Sequence, residues 1–425
     1  MKNTSPEKIF DRTYNLPYMM GYFLAANAVR DLCAVVDGAN CVMQKVDLLA
    51  GNHDLFCGLL SEDGMHRTIC TMASPLSPHK NPEKKLAALL NSLAASGRFG
   101  AIIVTGLPFC RLTGTDYTGV ARSIRSGSPV GSVPPRSMEA DWLDGYDDTL
   151  EALARTLPLK GKRSRKKAAV AGYMMDRNEY DHLANIKEMR RLLSLAGLEL
   201  VSVWPSGGNC AELSRAGEAG LIISLPYGRK AARTLAARTG AKLVETGLPM
   251  GLAGTSGWLS AVRAAAGIKG ALPSPLRAEE RAAAAAIFPA LRGLPHKRAL
   301  FAGDPYLYEA FACFARELCI GLSAVFLDSD PRPLGSARRP GVLLFAPAPD
   351  EAKAALGALG RYEKPDLAVA NSFALTEGIA GGAPFIELGF PSYGHHCLDD
   401  EPFLFYSGAR ILAARLLNCL QAGRG

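Results

Sequence analysis

The sequence predicts an α/β chain built from three successive doubly wound parallel-sheet domains, and three observations lead there. Short apolar runs and helical stretches alternate almost throughout, the pattern that lays parallel strands between layers of helices. A chain of 425 residues is longer than one hydrophobic core ordinarily serves. The alternation is also interrupted twice, by the basic run Lys160-Gly-Lys162-Arg163-Ser-Arg165-Lys166-Lys167 and by Gly293-Leu-Pro295. These breaks delimit domains at residues 1–157, 168–292 and 297–425.

In the first domain a helix near Tyr18 to Arg30 leads into a strand from Leu32 to Val36. Asp37-Gly38-Ala39-Asn40 then turn into Cys41, where a second helical stretch runs to Leu49. Arg67 to Met72 read as another strand and Pro82 to Ala95 as a helix. Ala101 to Val104 form a buried strand that Leu107, Pro108 and Phe109 break, leaving Cys110 in the loop before a helix beginning near Gly114-Thr115-Asp116. An amphipathic helix from Met138 to Thr156 closes the domain. Ligands of open α/β sheets gather beyond the carboxyl ends of the strands, so Cys41 and Cys110 are expected to face a common crevice.

The second domain has strands at Ala168 to Tyr173, Leu198 to Val203, Gly220 to Leu225 and Lys242 to Glu245, each followed by a helix. The helix from His182 to Leu195 carries Leu183, Ile186, Met189, Leu192 and Leu193 on one face, at helical spacing. Gly251-Leu-Ala-Gly254-Thr-Ser-Gly257 looks like a phosphate-binding glycine loop at a helix start. Its spacing is not that of a dinucleotide fingerprint, and no Walker-type lysine loop occurs, so any ATP hydrolysis belongs to a partner.

The third domain has strands at Arg298 to Ala302, Ser323 to Leu327, Val342 to Phe345, Asp366 to Ala370 and Pro384 to Leu388, and a closing helix from Ala409 to Leu420. The loop Pro391-Ser392-Tyr393-Gly394-His395-His396-Cys397 follows its last strand. Adjacent histidines there can bind a metal, donate protons or line a pocket, or can simply be a solvated or capping pair.

Apolar residues make up 48% of the chain and charged residues 21%, the balance of a globular protein. The net charge of +8 is modest, and the basic run contributes much of it. No aromatic residues interleave those charges to stack on bases, so the run reads as a solvated linker and no nucleic-acid partner is expected. The N-terminus lacks a signal-peptide pattern. The longest apolar run, Ala282 to Leu291, contains Pro289 and is too short to span a bilayer. A cytoplasmic protein without a membrane partner is expected, in which the ten cysteines are buried thiols or metal ligands.

Taken together and in order, several stretches resemble the nitrogenase component 1 superfamily, which includes the light-independent protochlorophyllide reductase and the nickel-sirohydrochlorin reductase. They are Gly38-Ala39-Asn40-Cys41, the strand and helix start around Cys110, Gly172 to Trp204, Glu245-Thr-Gly-Leu-Pro249-Met-Gly-Leu, and Pro384-Phe-Ile-Glu-Leu-Gly-Phe-Pro391-Ser-Tyr-Gly. The resemblance implies a catalytic-component subunit of a two-component reductase. Such a subunit takes electrons from an ATP-hydrolysing iron protein through an iron-sulfur cluster, of the 4Fe-4S type, to a substrate held between the domains. The alternative is a non-catalytic scaffold on which a metal cofactor is assembled or transferred; a third reading is a plain small-molecule binding protein with structural cysteines.

Cys41 matches one family ligand position. The family's first ligand would fall at Asn15-Leu16-Pro17, which has no cysteine, and its third at Leu107 or Pro108, from which Cys110 is displaced. Cys41 and Cys110 are therefore the candidate metal ligands, with Cys70 and Cys57 as the nearest further cofactor-binding candidates. The cluster is expected to be ligated differently or shared across an interface, in a homodimer or in a heteromer with a related component 1 subunit. The cofactor cysteine of nitrogenase itself is missing near Ser224-Leu225-Pro226, so nitrogen fixation is not expected. His395 and His396 are the catalytic candidates, on the wall of a pocket where the domains meet.

Overall fold

A computed structural model describes residues 16–73, 81–112, 114–335 and 340–422. It contains three all-parallel sheets. The first has the order β2-β1-β3-β4, with β1 Leu32–Asp37, β2 Thr68–Cys70, β3 Ala101–Gly106 and β4 Val130–Ser132. The second has the order β6-β5-β7-β8, with β5 Ser164–Ala171, β6 Glu199–Trp204, β7 Ala219–Ser224 and β8 Lys242–Glu245. The third has the order β11-β10-β9-β12-β13, with β9 Arg298–Gly303, β10 Gly321–Leu327, β11 Val342–Phe345, β12 Leu367–Ala370 and β13 Phe385–Glu387.

Each sheet reverses its winding once, between β1 and β3, between β5 and β7, and between β9 and β12. The loops after these strands flank the crevices where doubly wound sheets hold ligands. The central strands are apolar because both faces are covered: β1 and β3 are buried along their whole length. One continuous core joins the first sheet to the second, and another joins the second to the third.

Helix α1, Tyr18–Asn27, is buried on every side and crosses α6, Trp142–Thr156, at two glycines. A Cβ on Gly21 would collide with the Trp142 carbonyl, and one on Gly145 with the Tyr18 carbonyl. The α6 N-terminus is capped by Asp141, whose carboxylate accepts from the amides of Leu143 and Asp144.

Four details differ from the sequence expectation. The basic run is not wholly a linker, since β5 begins at Ser164 and takes in Arg165, Lys166 and Lys167. The start of this strand projects past the apolar layers, so long basic side chains reach water, while the Lys167 ammonium binds Glu218 at 2.6 Å. Strand β4 was not expected, being three residues among turn formers. Cys110 lies in a short helical turn, Pro108–Arg111, rather than an open loop. Finally, Gly251 to Gly257 form the beginning of the helix Gly251–Ala266, and the Glu317 carboxylate accepts from the amides of Leu252 and Ala253. An internal anion thus already occupies the place of a phosphate.

Candidate functional site

The carboxyl edge of the first sheet carries three of the four candidate cysteines. Cys41 lies in a single turn, Asn40–Val42, directly after β1 and is exposed. Cys70 ends β2, which pairs with β1 through Val36, and is partly buried. Burial, with Cys41 beside it, pushes the Cys70 thiol up to about 11. Cys110 is buried, and its thiol is pushed up to about 12 by burial and by the charge of Asp37 at the end of β1. The two strand-end loops meet closely, with the Leu107 amide donating to the Asp37 carbonyl at 2.9 Å, and a Cβ on Gly38 would press on the Leu107 side chain at 2.6 Å. Tyr117 and Thr71 donate to the two Asp37 oxygens at 3.0 and 2.6 Å.

Cys57 belongs to the other end of the sheet. Its neighbour Gly58 accepts from the Arg67 guanidinium at 2.7 Å, and the same guanidinium donates to the Leu32 carbonyl where β1 begins. Burial pushes the Cys57 thiol up to about 11. Among the described residues, no three of these four thiols lie within 4.8 Å of one another.

A second centre is a cavity of about 40 Å³ at the junction of the three sheets, walled by Trp142 from the first, Asp176, Arg177 and His182 from the second, and Asp304 and His395 from the third. The polar walls come from strand ends: Asp176 and Arg177 follow β5, and Asp304 follows β9. His182 Nε2 is 2.6 Å from Asp176. Burial alone would lower this imidazole, but Asp176 and Asp181 outweigh it and raise it. Burial would likewise raise Asp176, yet His182, His53 and Arg177 hold its carboxyl well below the usual range. Arg177 is paired with Asp181 and with Glu179, the latter at 3.5 Å.

Among the described residues, no cation pairs with Asp304. It accepts from the Tyr227 hydroxyl at 2.9 Å and from the amides of Tyr306 and Leu307 at 2.9 and 2.8 Å. Burial still pushes its carboxyl up to about 6. His53 ties all three domains together. Its Nδ1 accepts from the Ser392 amide at 3.0 Å, which leaves Nε2 to donate to the Asp176 carbonyl at 3.1 Å.

The two candidate histidines separate. His395 lines the cavity, whereas His396 Nδ1 turns to Glu179 at 2.7 Å and is not part of the wall. The sequence reading passed over His53, Asp176, Arg177, Asp181, His182 and Asp304. A signal was present: Asp176-Arg177-Asn178-Glu179-Tyr180-Asp181-His182 packs six ionisable residues shortly after a buried strand. The helix that follows starts at Tyr180 and turns Asp181, His182 and Asn185 inward.

Among the described residues, no helix is long and apolar enough to cross a membrane. The structure of "Nitrogenase Cp1 at pH 6.5" is similar, with a TM-score of 0.78 and 15% identity, over 96% of this chain and 93% of that one. The structure of "Nitrogenase Cp1 at pH 5" is similar with a TM-score of 0.68 and 12% identity, over 95% and 88%. At these identities the likeness is one of fold. No curated protein matches the chain. A family model described as nitrogenase component 1 type oxidoreductase matches residues 80–421, a span that includes Cys110, the cavity walls and His395 but begins after Cys41, Cys57 and Cys70. With that match over most of its length and three doubly wound sheets in succession, the chain belongs to the nitrogenase component 1 type oxidoreductase family.

Proposed function

We propose that the chain is the catalytic-component subunit of a nitrogenase-like two-component reductase. It takes electrons from an ATP-hydrolysing iron protein through an iron-sulfur cluster and passes them to a substrate at the three-domain junction. The observation that carries this reading is that exposed Cys41, in the turn after β1, and Cys70, ending the adjacent β2, share the carboxyl edge of the first sheet, in a chain of an oxidoreductase family.

Iron-sulfur clusters are held by thiolates, usually four. This edge fits part of one: Cys41 and Cys70 stand together, Cys110 lies one loop away beside Asp37, and Cys57 is at the opposite end. The remaining ligands would come from a second chain, identical or related, docked on the exposed Cys41. When bound, the cluster supplies one-electron transfer. The chain's own residues hold charges in place at the junction. Asp304, whose carboxyl burial pushes up to about 6, is suited to hold a proton on the cavity wall below neutral pH.

The test is electron transfer from a reduced iron protein to the purified chain, followed as loss of the reduced iron protein's spectrum. Transfer should require ATP and be abolished by Cys41→Ser. Reduction by a nicotinamide cofactor alone, or transfer indifferent to Cys41→Ser, would contradict the proposal.

A further inference from the structure

The loop after β13 brings three ligand types together away from the first-sheet cysteines. Nε2 of His395 is 3.4 Å from Sγ of Cys397 and 3.8 Å from Oε2 of Glu401. All three ligand atoms lie within 4.8 Å of one another. A zinc-class ion about 2.3 Å from a thiolate and about 2.1 Å from an imidazole separates the two by about 3.6 Å in a tetrahedral site. The observed 3.4 Å is close to that spacing, without movement of either side chain.

The loop is also held in this shape by the second domain. The His395 carbonyl accepts from Arg177 at 2.6 Å and from the Ser392 hydroxyl at 3.2 Å. The Cys397 amide donates to Glu179 at 2.8 Å, and the Cys397 carbonyl accepts from the Tyr180 amide at 3.2 Å. Preorganisation of this kind reduces the ordering cost of binding. Arg177 and Arg415 bring positive charge nearby. Arg177 is compensated by Asp181 and Glu179, and the Arg415 guanidinium is engaged with the Glu387 carbonyl at 2.8 Å.

We propose that His395, Cys397 and Glu401 form a mononuclear site for a divalent zinc-class cation, with an open fourth position. Soft thiolate, imidazole and carboxylate in one set select borderline transition cations over magnesium or calcium. Three protein ligands with a vacant corner are the arrangement of catalytic rather than structural zinc sites. Because His395 also lines the central cavity, the ion sits at its margin, where it can polarise a bound oxygen or nitrogen of a small substrate. The site stands independently of the cluster reading, since it shares no residue with the first-sheet edge.

The test is titration of the chelator-stripped full chain with Co²⁺, a spectroscopic stand-in for zinc. One equivalent should bind with the visible bands of tetrahedral cobalt and a near-ultraviolet thiolate-to-cobalt band. Cys397→Ser should abolish the thiolate band, and exposed Glu401→Gln should weaken binding at least tenfold. Cys319→Ser, at an exposed cysteine outside both the thiol edge and this loop, should leave the spectrum unchanged. Should Cys397→Ser fail to fold, Glu401→Gln decides alone. A titration without a thiolate band, or one that Cys397→Ser and Glu401→Gln leave intact, would overturn the site.

Discussion

Asp304 is buried at the end of β9 with three donors and, among the described residues, no cation, and that balance has a measurable consequence. Its folded-state value of about 6 lies above the ordinary carboxylate value of about 4. The native state therefore binds more protons than the unfolded state between these values, and stability falls as pH rises through that window. Asp304→Asn keeps the shape and an acceptor oxygen while removing the titration. Denaturant unfolding at a series of pH values should show a shallower decline for the variant between pH 4 and 6 than for the natural protein, with a difference on the order of 2 kcal/mol above pH 7. Parallel curves for the two proteins would place the titration elsewhere.

His53 is the second residue whose neighbours set an expectation. It is fully buried, joined to Ser392 and Asp176, and packed edge-on against Phe390 at 4.7 Å. Truncation leaves a buried amide and a buried carbonyl without partners, at about 1–3 kcal/mol each. His53→Ala should lower stability by several kcal/mol and loosen the third domain first, seen as early loss of amide protection in β12 and β13. Uniform loss across all three sheets would show that His53 does not link the domains.

At the scale of elements, the crossing of α1 and α6 depends on two glycines facing backbone carbonyls. Gly21→Ala or Gly145→Ala forces the helices apart, and overpacking of this kind costs about 1–3 kcal/mol. Thermal unfolding should register either change, whereas Gly257→Ala, with open space around it, should be neutral or slightly stabilising through helix propensity. Equal effects at Gly21 and Gly257 would remove the packing explanation.

Most strands could be read from the sequence, because buried parallel strands are apolar runs bounded by turn residues. Residues 242–245 and 342–345 have the same limits in both readings. Strand β4 offered three residues and no run to detect. The cavity wall escaped for a different reason. A dense charge run ordinarily marks a solvated face, and the one from Asp176 to His182 is buried because its charges pair with one another, Arg177 with Asp181 and Glu179 and His182 with Asp176, while His53 and His396 from the other two domains add to Asp176 and Glu179. The burial itself was not legible, because His53 and His396 are distant from the run in sequence. Cys57 illustrates the converse, near Cys41 in the chain but beside Arg67 at the other end of the sheet.

For the whole molecule, three sheets with their switch points set toward shared loops leave a junction with several charged walls and an exposed thiol edge. The described walls of the junction come from all three domains of this chain. The thiol edge offers less than a four-thiolate cluster needs: Cys41 and Cys70 stand at strand ends and Cys110 is buried beside Asp37. On the proposed reading, assembly and cluster retention are therefore coupled. The decisive measurement is analytical ultracentrifugation of anaerobically prepared protein with iron and sulfide determined across the sedimenting species. Iron and sulfide should travel only with a dimer or heteromer and be lost from it with Cys41→Ser, whereas a monomer carrying a complete cluster would contradict the shared site.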